Sequence, residues 1–272
     1  MLLLVLAALL ILAYPWLIRP RRPVRSMQPF TGYDYAHRGL WDADRPENSL
    51  PAFTAAADAG YGIELDVHLT RDGQLVVHHD FYLDRLCGAH CLIEGSTLQQ
   101  LQAHRLQGTD MTLPTLAEVL ESVQGRVPLI IELKVRRNAA ALADALDAQM
   151  QGYPGVWCVE SFHPSALLWF RRHAPQVIRG QLTFDHRGQP GRSLPLRLRD
   201  LFIASMLGNA LSRPDFIACE ACCDRPRRLP MRLLRRMHPH WVGWTIRSHA
   251  EMNACRSRYA LLIFEGFRPQ RP

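Results

Sequence analysis

Two carboxylates placed two residues apart are the strongest chemical signal in this chain. Glu64 and Asp66 lie in the β-forming run Gly62–Val67, so on a strand both side chains point to the same face, about 6–7 Å apart. Carboxylates at that spacing repel each other unless a positive charge lies between them. A divalent cation fits, because hard oxygen ligands suit Mg²⁺ or Ca²⁺. The alternative is a solvated outer strand face, where such a pair is also common.

Other apolar runs end in polar residues of the same kinds. These endings are Ala36-His37-Arg38-Gly39, Val76-Val77-His78-His79-Asp80 and Ile131-Glu132-Leu133-Lys134. A solvated face does not explain this repetition, whereas a barrel of alternating strands and helices collects its chemistry at the strand ends. We therefore favour one shared site.

The remaining pattern indicates the elements that position these residues. Nine strand-like runs occur at 33–37, 62–69, 75–79, 128–134, 156–162, 178–184, 216–220, 241–247 and 261–265, and helical patterns lie between most of them. Alternating strands and helices over about 240 residues predict a mostly parallel sheet, closed as a (β/α)₈ TIM-like barrel. An open doubly wound sheet is the alternative. The stretch 81–114 is long for a connection and predicts a small insertion over the barrel mouth.

The N-terminus predicts a membrane anchor. Residues 1–18 carry no charge and would form a helix of about 27 Å, close to the bilayer core of about 30 Å. The basic, Pro-containing stretch 19–29 follows as a linker, and its arginines favour a single-pass orientation with the domain 30–272 in the cytoplasm. A tail buried in a partner and an uncleaved export signal are the alternatives.

Composition narrows the functional class. The chain has 272 residues with a net charge of +7 and seven cysteines. Excess arginine is typical of proteins that bind nucleic acid or anionic membranes, but no nucleic-acid-binding motif is present, so we expect no nucleic-acid partner. The odd cysteine set without a regular framework fits a reducing compartment.

At this point the order of motifs resembles the glycerophosphodiester phosphodiesterase family. The motifs are His37-Arg38-Gly39, Pro46-Glu47-Asn48-Ser49, Glu64-Leu65-Asp66-Val67, Thr70-Arg71-Asp72-Gly73, Val76-Val77-His78-His79-Asp80 and Ile131-Glu132-Leu133-Lys134. The resemblance is dense over 33–135 and thinner downstream, where Ser161-Phe162 and Trp244-Thr245 match later landmarks. Arg247 departs from the usual Asn, and the segment 264–269 replaces the usual Thr-Asp-x-Pro; both affect the expected substrate preference.

The resemblance implies a TIM-like barrel that hydrolyses a phosphodiester with a divalent metal, Mg²⁺ or Ca²⁺. The implied metal ligands are Glu64, Asp66 and Glu132; the implied acid and base are His37 and His79; the implied phosphate clamps are Arg38 and Lys134. Trp244 either walls the alcohol pocket or belongs to the core. The nucleophile is either the neighbouring glycerol hydroxyl, through a cyclic phosphate, or water.

Three functions remain to be compared. The leading prediction is a glycerophosphodiester phosphodiesterase that releases glycerol 3-phosphate and an alcohol. A lysophospholipase D would use the same chemistry on a lipid that keeps one acyl chain, and the basic linker would attract anionic lipid. A catalytically idle, phosphate-binding barrel is disfavoured because all seven implied site residues are present.

Overall fold

Eight parallel strands close into a barrel. The structure, a computed structural model, describes residues 2–22, 24–106, 108–184, 191, 193–221 and 229–270. Its strands are β1 Tyr35–His37, β2 Gly62–Leu69, β3 Leu75–Val77, β4 Leu129–Leu133, β5 Trp157–Ser161, β6 Arg179–Thr183, β7 Phe216–Glu220, β8 His240–Ile246 and β9 Leu261–Phe264. Strand β1 pairs in parallel with both β2 and β9, which closes the barrel. Strand β3 forms an antiparallel hairpin on β2. The predicted closed barrel is confirmed, and the open sheet is wrong.

Helices surround the barrel. They are α1 Leu2–Ile18, α2 Leu50–Asp58, α3 Asp84–Cys87, α4 Leu98–Gln102, α5 Leu116–Val123, α6 Ala139–Met150, α7 Pro164–His173, α8 Leu194–Ser205, α9 Asn209–Ser212, α10 Leu229–Arg236 and α11 His249–Cys255. Several begin where the sequence supplies a cap: the Ser49 hydroxyl accepts from Ala52 N at 3.4 Å, and Thr115 accepts from Glu118 N. Such caps satisfy amide groups that have no partner inside the helix.

Strand alternation divides the apolar residues into two layers. Ile63, Leu65 and Val67 point outward and are fully buried between β2 and the helices. The opposite face of each strand lines the barrel interior, whose lower part is filled by large side chains. Gly62 makes room for one of them, since a Cβ there would lie 2.5 Å from the Tyr35 ring. This packing leaves the carboxyl ends of the strands for polar residues.

The segment before β1 closes the opposite, amino end of the barrel. Met27 and Phe30 are buried in the barrel-interior cluster. Arg21 N donates to Pro214 O at 2.9 Å, and His240 Nε2 lies 3.0 Å from Arg25 O. The stretch 19–29, predicted as a linker, therefore packs against the barrel.

The N-terminal helix differs from the predicted membrane anchor. Helix α1 has 17 residues, and no helix in the described ranges is long and apolar enough to cross a membrane. Its C-terminal end packs on the protein instead: Ile18 is fully buried, and its carbonyl accepts from Asn209 Nδ2 at 2.7 Å. The prediction that 1–18 spans a bilayer is therefore not supported.

The described residues of the stretch 81–114, predicted as an insertion, form short helices around an apolar cluster of their own. This stretch contains α3 and α4, and it buries a separate apolar cluster against Val76 of β3: Leu83, Leu86, Ile93, Leu101, Leu106 and Leu113. Helix α4 carries a capping box between Thr97 and Gln100. The insertion therefore has its own small core beside the barrel.

Candidate active site

Three carboxylates from β2 and β4 meet inside the carboxyl end of the barrel. Parallel register sets Asp66 beside Glu132, and Glu64 lies on the same face of β2 as Asp66. One oxygen of each of these three groups lies within 4.8 Å of the others, and all three residues are buried. We call this set the acidic triad.

The acidic triad fits a divalent cation. Its donors are all hard carboxylate oxygens. Burial, followed by the charges of Asp66, Glu160 and Glu132, raises the pKa of Glu64 well above its usual range. The pKa of Glu132 is also raised, because the effect of burial is larger than the opposing effect of the Lys134 charge. Uncompensated repulsion of this kind is what a bound cation relieves.

Two basic side chains flank the acidic triad. Lys134 Nζ lies 3.1 Å from Glu132 and 3.4 Å from Asp66. Arg38 Nε lies 3.6 Å from Asp66. Burial opposes ionisation of Asp66, but Lys134 and the other nearby cations outweigh it and lower the pKa of that carboxyl. Asp66 is therefore ionised even without a bound cation.

A left-handed turn after β1 aims Arg38 at this site. Arg38 has φ +58° and Gly39 has φ +82°, a region that L side chains rarely adopt. Only glycine fits at 39, because a Cβ would also lie 2.9 Å from the Ala52 backbone. In this turn the Arg38 amide donates to Glu64 at 3.2 Å.

Each of the two predicted acid–base histidines contacts a carboxylate through Nδ1. His37 Nδ1 lies 2.5 Å from Glu265, and His37 Nε2 lies 3.9 Å from Glu64. His79 Nδ1 lies 2.8 Å from Asp80. Burial lowers the pKa of His37, although the bond to Glu265 opposes this shift. His37 is therefore held as a neutral imidazole at neutral pH.

The neighbouring histidines belong to the core. His78 and His68 are both buried, and burial lowers their pKa values to about 4 and about 3. The His68 ring packs edge-on against Phe81. The chain direction after β3 thus turns His79 toward the site and His78 away from it.

A cavity of about 260 Å³ joins most of the predicted residues. Its lining includes His37, Arg38, Glu64, His79, Glu132 and Trp244. The Trp244 ring packs edge-on against Phe162 at 5.9 Å, so it serves both as wall and as packing residue. Arg247 also lines this cavity and pairs with Glu265 at 2.7 Å. Asp66 belongs to the acidic triad and Lys134 contacts it, so all eight predicted site residues are brought together.

Sequence reasoning did not assign four residues that the structure adds. Asn48 Nδ2 donates to Asp66 at 2.9 Å. Glu47 accepts from Arg38 at 2.7 Å and from Arg85 at 2.6 Å. Both lie in a motif that the sequence analysis quoted without giving them roles. Glu265 lies in the segment 264–269, which departs from the family pattern and was given no role. Glu160 had no such signal, because it is a single glutamate whose position depends on strand register.

Glu160 extends the acidic cluster. It lies beside Glu132 in the register of β4 and β5, is 2 % exposed, and its Oε2 has no hydrogen-bond partner among the described residues. Burial and the charges of Glu132 and Asp66 raise its pKa well above the usual range.

Comparison with known proteins agrees with this geometry. The family model described as "Glycerophosphoryl diester phosphodiesterase family" matches residues 37–258. A glycerophosphodiester phosphodiesterase of Bacillus altitudinis is 32% identical over 168 residues, which cover 57% of this chain and 68% of that protein. A lysophospholipase D of Rattus norvegicus is 32% identical over 142 residues, covering 47% and 43%.

A solved structure shows the same fold. The phosphodiesterase of Oleispira antarctica, in complex with sn-glycerol-3-phosphate, aligns with a TM-score of 0.69 at 21% identity, covering 88% of this chain and 95% of that one. The family model spans most of the chain, including every predicted site residue. This chain therefore belongs to the glycerophosphoryl diester phosphodiesterase family.

Proposed function

We propose that this protein hydrolyses glycerophosphodiesters to glycerol 3-phosphate and an alcohol, with a divalent cation and two histidines that transfer protons. The observation that supports it most is that two members of the acidic triad, Glu64 and Glu132, line one cavity together with both imidazoles, His37 and His79. Membership of a family of glycerophosphodiester phosphodiesterases supports the reaction class.

Glu64, Asp66 and Glu132 would hold the cation, Mg²⁺ or Ca²⁺, and the family's enzymes are metal-dependent. When bound, the ion supplies Lewis-acid polarisation of the phosphoryl group and offsets its charge. The chain contributes the buried, hard oxygen ligands that these ions prefer. Asn48 orients the Asp66 carboxylate by donating to it.

Arg38 and Lys134 are the proposed phosphate-binding residues. Both are fixed at the edge of the acidic triad by contacts with its carboxylates. A phosphodiester is anionic and gains negative charge as it is attacked, so preorganised cations stabilise the transition state more than the ground state. Glu47 holds the Arg38 guanidinium in this orientation.

His37 is the proposed general base and His79 the proposed general acid. With Nδ1–H donated to Glu265, the neutral His37 ring presents the lone pair of Nε2 beside Glu64 and can accept the proton of the nucleophile. That nucleophile is the neighbouring glycerol hydroxyl or water. His79, whose Nδ1 is bound by Asp80, then protonates the leaving alkoxide from the more open side of the cavity.

The decisive experiment measures products and metal dependence together. The full chain is incubated with glycerophosphocholine after EDTA treatment, Mg²⁺ or Ca²⁺ is restored, and glycerol 3-phosphate and choline are assayed. Glu132→Gln should abolish metal-dependent release, while Glu121→Gln, at an exposed position of α5, should not. Metal binding without any turnover would favour the idle barrel instead.

A second candidate, lysophospholipase D, is favoured by a larger apolar cavity next to the site. This cavity, of about 490 Å³, shares Glu132 and Lys134 with the acidic site. Its walls are mainly apolar: Val135, Phe162, Phe184, Phe202, Ile203 and Leu211. A phosphate bound at the acidic triad would therefore have room beside it for one acyl chain. Turnover of lysophosphatidylcholine but not of glycerophosphocholine would establish this candidate over the first.

We further propose that the barrel operates on the cytoplasmic side of the cell envelope. Four cysteines in the part of the chain that the structure describes are free thiols: Cys87, Cys91, Cys158 and Cys255. Free thiols are typical of reducing compartments. Protease added to intact cells should leave the barrel intact, and its degradation from outside would contradict this location.

A further inference from the structure

Helix α8 exposes an unusual apolar surface. Five large side chains on this 12-residue helix are between 41% and 69% exposed: Leu194, Leu196, Leu198, Leu201 and Phe202. Leu194, Leu198, Leu201 and Phe202 recur at the helical spacing of four, three and one residues and so lie on one side of α8, whereas Leu196 lies on the other side. We call these four residues the α8 apolar face. Isolated exposed leucines are ordinary, but several on one side of a helix mark an interaction site.

This face is continuous with the apolar cavity beside the catalytic site. Phe202 belongs to the α8 apolar face and also lines the cavity, as does its neighbour Ile203. Glu132 and Lys134 line the same cavity. An acyl chain attached to a phosphate at the acidic triad would therefore have room beside Phe202 and Ile203 of α8. The cavity thus connects the chemistry with the apolar surface.

Basic residues alternate with the leucines. Arg197 and Arg199 lie on the first two turns of α8, where every described residue from Ser193 to Arg199 is exposed. Arg199 also lines the cavity and pairs with Asp200 at 3.1 Å. Helices that lie in the headgroup region of an anionic bilayer present an apolar face to the acyl chains and carry arginine outside that face. The net charge of +7 also favours association with an anionic surface.

We propose that α8 docks on the surface of an anionic lipid bilayer and that the cavity beneath it receives a single acyl chain from that surface. At 1.5 Å per residue α8 is about 18 Å long, so it lies in the interface and does not span it. The leucines enter the acyl-chain boundary, while the arginines contact lipid headgroups. The acyl-chain part rests on the proposed hydrolysis; the docking part does not.

Any test must distinguish vesicle binding by the adjoining helix α1 from vesicle binding by α8. The Tyr14 hydroxyl donates to Ser205 O at the end of α8, and Leu9, Ile11, Leu12 are exposed. Vesicle binding of the whole chain therefore does not identify the docking element. A measurement resolved along the sequence is needed.

Hydrogen–deuterium exchange of the full chain gives that resolution. Exchange is measured without vesicles, with phosphatidylcholine vesicles, and with vesicles containing one quarter phosphatidylglycerol. The proposal expects slower exchange in 194–205 with the anionic vesicles. Unchanged exchange there, even if α1 becomes protected, overturns it; so does equal protection by vesicles without charge. Protection of α8 only when another protein is added would identify a protein interface instead.

A paired variant tests the link to substrate. Leu198→Asp with Leu201→Asp should reduce hydrolysis of vesicle-borne lysophospholipid at least ~10-fold, because burial of two leucines in lipid is lost. Hydrolysis of soluble glycerophosphocholine should stay unchanged, since neither residue lines the acidic site. Val156→Asp, at an exposed apolar position preceding β5, is the matched control and should leave both substrates unaffected. Equal lysophospholipid rates in the paired variant and the control overturn the proposal.

The outcomes separate this inference from the proposed function. A protein that hydrolyses glycerophosphocholine but shows no protection of α8 keeps its proposed reaction and loses the docking inference. Protection of α8 in a protein that hydrolyses neither substrate keeps the docking surface and overturns the proposed function.

Discussion

His37 and Glu265 are 228 residues apart in the sequence, yet His37 Nδ1 lies 2.5 Å from a Glu265 carboxylate oxygen. The contact exists because barrel closure pairs β1 with β9, which brings the residues after Ala36 and Phe264 side by side. Burial opposes ionisation of Glu265, but the bond from His37, together with Arg247, lowers its pKa to about 2. A permanently ionised carboxylate therefore orients the proposed general base.

Replacing Glu265 by Gln should move the acidic limb of the pH–rate profile toward lower pH. Burial lowers the pKa of His37, and Glu265 partly restores it; removing that charge lowers the pKa of His37 further. A base active when neutral then keeps its activity to more acidic pH. The plateau rate should fall by roughly 10–100-fold, because the ring loses its fixed orientation.

The pH profile of kcat/KM measures both effects. Glu251→Gln is the control. Glu251 accepts a hydrogen bond from the Arg247 amide at 2.8 Å, and among the described contacts it has none with His37. A Glu265→Gln profile whose acidic limb stays in place, or moves to higher pH, would refute the assignment of His37 as the titrating base.

His37→Ala and His79→Ala should each reduce kcat by about 10²–10⁴-fold, the usual contribution of a positioned acid or base. The adjacent His78→Gln supplies a sharp comparison, because His78 is buried away from the cavity. His78→Gln should change thermal stability more than kcat. If instead His78→Gln loses activity and His79→Ala keeps it, the assignment of the two neighbours is reversed.

Local pattern was sufficient for the strands, the barrel and the pair Glu64 and Asp66, whereas the third carboxylate of the acidic triad, Glu132, was implied by the family resemblance. Each strand is a short apolar run, and the spacing of Glu64 and Asp66 requires a shared face. Helix α8 was not predicted, because its leucines are exposed and do not form the buried stripe that periodicity detects. The partners Glu160 and Glu265 were not assigned, since only strand register and barrel closure bring them to the site.

The N-terminus shows the opposite case, in which a strong local signal is not supported by the described structure. Charge-free residues 1–18 fit a membrane span by composition. The described helix has 17 residues, and no helix in the described ranges is long and apolar enough to cross a membrane. Its end is held by tertiary contacts that composition does not reveal, such as Arg213 Nη1 donating to Trp16 O at 2.7 Å. Hydropathy alone does not distinguish an apolar helix that lies in lipid from one that packs on the side of a barrel.

Ile203→Trp should discriminate between the two candidate substrates. Ile203 lines the apolar cavity but not the smaller acidic one, so a bulkier ring there fills the space proposed for an acyl chain. We expect kcat/KM for lysophosphatidylcholine to fall by about 10-fold or more, since overpacking typically costs about 1–3 kcal/mol. Glycerophosphocholine hydrolysis should be unchanged and serves as the internal control. Equal losses on both substrates would show that the variant disturbs the catalytic site itself.

Glu160→Gln should weaken cation binding and stabilise the cation-free protein. Glu160 adds a fourth carboxylate beside the acidic triad, and ligand charge sets the affinity for hard cations. Calorimetric titration of Ca²⁺ or Mg²⁺ should give an affinity about 10-fold lower than that of the wild type. An unchanged affinity would mean that Glu160 does not act on the bound ion.

Glu160 should make the free energy of unfolding of the cation-free protein fall as the pH rises. In the folded chain its pKa is raised well above the usual glutamate value of 4.5, first by burial and then by Glu132 and Asp66. The folded state therefore binds more protons than the unfolded state above about pH 4.5, so its stability falls as pH rises from there toward the raised pKa. Glu160→Gln removes this contribution, and in EDTA its free energy of unfolding should decline less steeply over that interval than that of the wild type. Denaturant unfolding at a series of pH values measures the difference. Parallel curves for the two proteins would show that the buried Glu160 is compensated by contacts in the folded chain and does not need a cation.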